Sequence, residues 1–274
     1  MSIRSRLSLV TIALLAVLAL SLAGCSEDDS RSPTSPPVDL ATLDFDHELA
    51  AGQMVKAAGW EFADDAEVPE RVLADKGLRC LIQDYERVPL TGDIVLYSWR
   101  IRVGCGENDF IGLHRVVRER RPYRPIHTHE ATMIVHGAPG PFLPIFITGL
   151  YSNNASVEGS FPVYLAQEDI DVWGIDMRWA IVPVDVPDPS FATGWNTDVD
   201  VADVRKAFMI ARAIRRFTGS GNRKLNYLGY SYGGYIGYAF FNEESQRPPG
   251  RQQAKGFVNV DFHFKTDDPA VQAT

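Results

Sequence analysis

From Leu78 onward the chain changes to short runs rich in β-branched and aromatic side chains. Residues 93–103 and 110–117 are two such runs. The segment between them, Gly104-Cys105-Gly106-Glu107-Asn108-Asp109, carries turn chemistry, so the pattern predicts a β-hairpin. Residues 131–135 and 171–176 are short and apolar enough for buried strands. Residues 182–197, rich in proline and aspartate, predict a surface excursion. From residue 201 to 217, Val201, Val204, Phe208, Ala211 and Ile214 share one helical face, with Arg205, Arg212 and Arg216 turned away. Gly219 and Gly221 end that helix. Residues 225–228 read as a strand, 235–245 as a helix and 256–261 as a further strand. Before the hairpin, residues 41–58 have amphipathic spacing, with Leu43, Leu49 and Met54 among the apolar positions. No internal repeat is evident. Strands alternating with helices after an initial hairpin predict an α/β fold: a mainly parallel sheet covered on both faces, with six recognisable strands ending near Phe264.

The amino terminus follows a different pattern. Arg4 and Arg6 precede an uncharged apolar stretch, residues 7–24, long enough for an export signal or an uncleaved membrane anchor. It ends in Leu22-Ala23-Gly24-Cys25, which resembles the lipobox of bacterial lipoproteins. The resemblance implies cleavage before Cys25, lipidation of its thiol and a chain held to a membrane by acyl groups, each buried methylene contributing about 0.8 kcal/mol. Ser26 after the cysteine fits a place on the outer membrane, facing the periplasm, in a cell that has one. Three segments are therefore expected: a signal peptide over 1–24, a polar, proline-rich tether over 25–40 and a single domain over 41–274.

Apolar residues make up 45% of the chain and aromatic residues 11%, enough for a substantial core. The formal charge is −8, and the signal removes two of the positive charges, which argues against a nucleic-acid partner. Besides Cys25 there are Cys80 and Cys105, both in β-rich surroundings. In an oxidising envelope they could pair, but sequence leaves open whether their strands are neighbours.

The chemistry is concentrated in Gly229-Tyr230-Ser231-Tyr232-Gly233-Gly234, which follows the run Leu225-Asn226-Tyr227-Leu228. A G-x-S-x-G between strand and helix is the pattern of a nucleophile elbow. Glycines two residues either side of the serine let the chain reverse sharply and lift the hydroxyl clear of the sheet edge. With the hairpin, His136-Gly137-Ala138-Pro139 and Asp171-Val172-Trp173-Gly174-Ile175-Asp176-Met177-Arg178, all in the same chain order, the sequence resembles the α/β-hydrolase superfamily over residues 93–265. The resemblance implies that Ser231 is the nucleophile and that the backbone N–H groups of Tyr232 and Ala138 form an oxyanion hole. His136 would organise its loop, and Asp176 and Arg178 would be structural. Epoxide hydrolases and haloalkane dehalogenases of the superfamily carry aspartate at the nucleophile position. Serine implies acyl transfer to water, that is ester, lipid, thioester or peptide hydrolysis, and no cofactor.

The superfamily's acid and histidine follow its serine in the chain. Asp261 ends the strand after the elbow helix, where some lipase-like members place the acid; others place it after the next strand. His263, the only histidine after Ser231, lies too close to Asp261 on the same run to serve well as base. Fewer strands are recognisable than the superfamily's eight, and the sequence is expected to be a carboxyl-terminally truncated, nearly inert serine hydrolase of the esterase or lipase type. A peptidase of the same fold and a non-catalytic envelope lipoprotein that uses the fold for binding are the alternatives. His127 and His129, two apart, could share a strand face as metal ligands, but no third ligand is evident, and they read as hydrogen-bonded or solvent-exposed histidines with no metal.

Overall fold

Side chains along a strand point alternately to opposite faces of the sheet, and β2 (Ile94–Arg102) shows it plainly. Val95, Tyr97, Trp99 and Ile101 enter one core layer, while Ile94 and Leu96 enter the other. The computed structural model describes residues 82–262. The expected signal, tether and helix over 41–58, with Cys25, Cys80, His263 and Phe264, lie outside those residues.

The described residues form eight strands: β1 (Ile82–Thr91), β2, β3 (Phe110–Arg121), β4 (Arg124–Pro125), β5 (Ala131–Val135), β6 (Asp171–Asp176), β7 (Leu225–Tyr230) and β8 (Ala254–Val260). Their spatial order is β1-β2-β3-β6-β5-β7-β8, with the short β4 paired to β3. The predicted hairpin is β2 and β3, antiparallel from Ile94↔Arg118 to Arg102↔Phe110. The pairs β1–β2 and β3–β6 are antiparallel, whereas β5–β6, β5–β7 and β7–β8 are parallel. Parallel pairing thus holds in the carboxyl-terminal half, and the amino-terminal half is an antiparallel meander. Two strands exceed the expected six. β1 escaped recognition because Glu86, Arg87 and Pro89 interrupt its apolar pattern; a proline is tolerated in a strand that pairs on one side only.

Helices cover both faces. α3 (Thr197–Phe217) and α4 (Tyr232–Ser245) pack on the layer built from Tyr97, Trp99, Trp173 and Tyr227. In that layer Trp99 stacks on Trp173 at 6.0 Å, and Phe208 lies 5.3 Å from Phe240. α1 (Phe142–Phe146) and α2 (Phe161–Gln167) cover the opposite layer of Leu96, Val116, Ile134 and Val172. Neither was foreseen, since each is too short for helical periodicity to register. α3 begins one turn earlier than its apolar stripe, because the Asn196 side chain accepts the N–H groups of Asp198 and Val199. It ends, as expected, just before Gly219 at φ 85°. Its arginines are arranged differently from the sequence expectation. Arg216 is exposed, but Arg205 pairs with Glu243 and Glu244, and Arg212 bonds Gln253. Arg215 is fully buried. With Arg115 it grips the buried Asp171 at the amino-terminal end of β6, at 2.6 and 2.7 Å.

Candidate active site

The carboxyl end of β7 carries Ser231 into a turn that only a few residues could make. Ser231 has φ 51° and ψ −120°, and α4 starts at the next residue. A non-glycine residue in that region is strained by roughly 1–3 kcal/mol. Two main-chain hydrogen bonds hold it there. Its N–H donates to the Val260 carbonyl of β8 at 2.9 Å, and its carbonyl accepts the Gly234 N–H at 2.7 Å. The flanking glycines are required by close approach. A Cβ on Gly233 would lie 2.1 Å from the Val135 carbonyl oxygen, and one on Gly229 would lie 2.4 Å from the Gly233 carbonyl oxygen.

The parallel register sets Val135 opposite Gly229, so the chain leaving β5 runs beside the elbow. A Cβ on Gly137 would sit 2.8 Å from Ser231 Cβ and 3.3 Å from its Oγ. The chain at Gly137 and the serine turn are therefore in close contact. His136 is fully buried, and its Nδ1–H donates to the Gly137 carbonyl at 2.8 Å while Nε2 accepts the Met177 N–H at 3.1 Å. Burial lowers its pKa, against the opposing pull of the Gly137 carbonyl and Asp176. A neutral ring engaged at both nitrogens fixes the loop and leaves no nitrogen for Ser231.

Asp176, at the end of β6, accepts from the Phe142 N–H at 2.6 Å and lies 2.8 Å from His114 Nε2. Burial pushes this carboxyl up, but the His114 ring beside it and the Phe142 N–H hold it below its ordinary value. Arg178 pairs with Asp203 on α3 and with Asp109 in the β2–β3 turn. Both residues are thus committed to holding loops together.

Sequence reasoning missed Trp179 and Asp200. The Trp179 ring meets the His136 ring edge-on at 5.1 Å and the Tyr232 ring edge-on at 5.9 Å, so it joins the two loops beside the serine. The Tyr232 hydroxyl donates to Asp200 Oδ2 at 3.0 Å. Burial, then Asp200, pushes the Tyr232 phenol up to about 12. Asp200 lies in the first turn of α3 with only 4% of its surface exposed. No motif marks it in the sequence, where it is one acid in an acidic helix start.

Asp261 directly follows Val260, whose carbonyl receives the Ser231 N–H; it is exposed, with φ 57°. Among the described residues no imidazole hydrogen-bonds Ser231 Oγ or Asp261. His114 and His136 are engaged as above, and His127 and His129 precede β5 at the end opposite the elbow. His127 packs under Gly219, where a Cβ would lie 2.3 Å from its Nε2. No group of three or more His, Cys, Asp or Glu side chains placed to hold a metal occurs among the described residues. Cys105 is disulfide-bonded to a partner outside them.

The sheet order, the helices on both faces and the serine turn at the end of β7 define the α/β-hydrolase fold. Comparison of the structure with solved ones agrees at the level of fold. A protein assigned as a lipase from Sulfolobus solfataricus superposes with a TM-score of 0.50 at 20% identity, over 65% of this chain and 49% of that one. A cold-adapted esterase from an Arctic intertidal metagenomic library gives 0.38 at 12% identity over 64% and 63%, and an arylesterase gives 0.39 at 15% over 81% and 62%. The chain thus spans about half to two thirds of the length of these neighbours. No protein-family model and no curated protein matches the sequence.

Proposed function

We propose that the protein is a serine hydrolase acting on carboxylic esters or lipids through an acyl-enzyme. The observation that carries the reading is the strained Ser231 turn with the Gly137 main chain against it. Strain at one defined residue, held by glycines on three sides, has a use if the hydroxyl must stand free at the sheet edge. In this reading Ser231 attacks the ester carbon. The Tyr232 N–H, at the first position of α4 where no intrahelical acceptor exists, and the Ala138 N–H stabilise the developing oxyanion. Each such donor lowers the barrier by roughly 3–4 kcal/mol. Asp261 is the proposed acid. The base comes from outside residues 82–262, because the four described histidines are placed elsewhere.

The test is hydrolysis of p-nitrophenyl esters of increasing acyl length by the full chain beside Ser231→Ala. Hydrolysis that disappears in the variant supports the reading. Hydrolysis unchanged by the substitution contradicts it, as does a complete lack of it. We propose further that Cys25 carries the lipid that holds the chain to a membrane of the cell envelope. Incorporation of radiolabelled palmitate, lost in Cys25→Ser, is the expected result; equal incorporation in both would exclude that site.

A further inference from the structure

We propose that Asp200 is a positioning residue for the Ser231 site, which fixes the Tyr232 side chain and, through Trp179, the spacing between the two oxyanion-bearing loops. The inference rests on the proposed hydrolase reading and adds to it a residue far from the elbow in sequence. The geometry is a continuous chain of contacts. The Asp200 carboxylate accepts the Tyr232 hydroxyl at 3.0 Å, the Tyr232 ring meets Trp179, and Trp179 meets the buried His136 that precedes Gly137. The Tyr232 ring also stacks on Tyr235 at 5.6 Å, one turn along α4. One end of this chain sets the main chain of Tyr232, whose N–H is one proposed donor. The other end sets the main chain that leads to Ala138, the second. Neither donor is carried by a side chain that could adjust by itself, so the packing of Trp179 between the loops adds to the β5–β7 pairing and the Gly137–Ser231 contact in setting their separation.

The electrostatic surroundings make the link dependent on pH. The groups facing Asp200 are Asp203 on α3, Arg178 and Trp179 from the turn after β6, Tyr232 from α4 and Tyr227 of β7. Burial raises the Asp200 carboxyl to about 6, with Asp203 adding to the rise and Tyr232, Arg178 and Trp179 opposing it. Below that pH the carboxylate takes up a proton, and the Tyr232 hydroxyl loses a charged acceptor for a neutral one, a weaker bond.

The test uses the full chain with its tyrosines labelled with nitrogen-15, ten amides in all. The Tyr232 amide, assigned through Tyr232→Phe, is followed from pH 4.5 to 7.5 in the unmodified protein and in Asp200→Asn. A titration centred near pH 6 that vanishes in Asp200→Asn supports the proposal; an amide that does not move, or moves identically in the variant, overturns it. Ester hydrolysis supplies the second readout. Asp200→Asn and Tyr232→Phe should each lower kcat about ten- to hundredfold with KM little changed; equal loss in KM alone, or no loss, would also overturn it. If the unmodified protein hydrolyses nothing, the hydrolase reading fails and the amide titration alone decides this one. Tyr232→Phe keeps the ring and its packing, so a folding defect confined to Asp200→Asn would not obscure the outcome.

Discussion

At the scale of single residues, what the site needs is room, and glycine supplies it. Gly137→Ala would set a methyl group 2.8 Å from Ser231 Cβ, closer than real contacts allow, and either the serine or the His136 loop must shift. A displacement near 1 Å at a reacting centre costs about a hundredfold. The expected outcome is a folded protein, by circular dichroism, with ester hydrolysis reduced at least that much. Gly233→Ala differs, because its methyl would meet the Val135 carbonyl at 2.1 Å and a strand end cannot yield. A loss of about 1–3 kcal/mol is expected from such overpacking, read by denaturant titration. Ser231, Gly229 and Gly233 were legible in the sequence because a motif of fixed spacing imposes its own geometry. Trp179 and Asp200 were not. Their importance lies in which side chains the sheet brings together across 32 and 53 positions, the Asp200–Tyr232 and Trp179–Tyr232 separations, and no local pattern records that.

At the scale of elements, periodicity was a good guide where an element buries one face and a poor one elsewhere. β5 and β6 were located to the residue because they are short apolar runs ended by polar or glycine residues. β1, a strand with one paired edge, alternates too irregularly, and the five-residue α1 carries no helical period at all. The arginines of α3 show the same limit. Nothing in the periodicity marks Arg215, which is drawn into the core by Asp171. That cluster supports a prediction. Asp171→Ala leaves Arg115 and Arg215 buried together without their shared carboxylate, and the expected cost is about 3–5 kcal/mol. Denaturant titration of the variant checks it, and a change below 1 kcal/mol would mean that water replaces the carboxylate.

At the scale of the whole molecule, charge and covalent linkage set behaviour that no single element decides. Asp176 is held below its ordinary value, so the stability it contributes is present near neutrality and is lost as pH falls through its depressed pKa, below about 3.8. Asp200 works in the opposite sense. Its raised pKa gives a contribution that is complete below about 3.8 and lost as pH rises through about 6. Thermal unfolding between pH 4.5 and 8 should show a decline from pH 4.5 that levels off above about pH 6 and that Asp200→Asn removes; the same decline in both proteins would assign it to another group. The cysteines are linked by a similar constraint. Cys105 is disulfide-bonded, and the sequence holds two other cysteines. A bond to Cys80 leaves the Cys25 thiol free for lipid, whereas a bond to Cys25 would exclude lipidation. Non-reducing peptide mapping is expected to yield a Cys80–Cys105 peptide, and a Cys25–Cys105 peptide would overturn the proposed anchor. No helix among the described residues is long and apolar enough to cross a membrane.

The central claim is that the turn at residue 231 presents a nucleophile, and covalent capture tests it most directly. The full chain, treated with an alkyl fluorophosphonate and digested, should yield a phosphonylated peptide spanning residues 225–245, modified on Ser231 and absent from Ser231→Ala. A folded protein that acquires no adduct on prolonged exposure, or acquires the same adduct without that serine, would contradict the account.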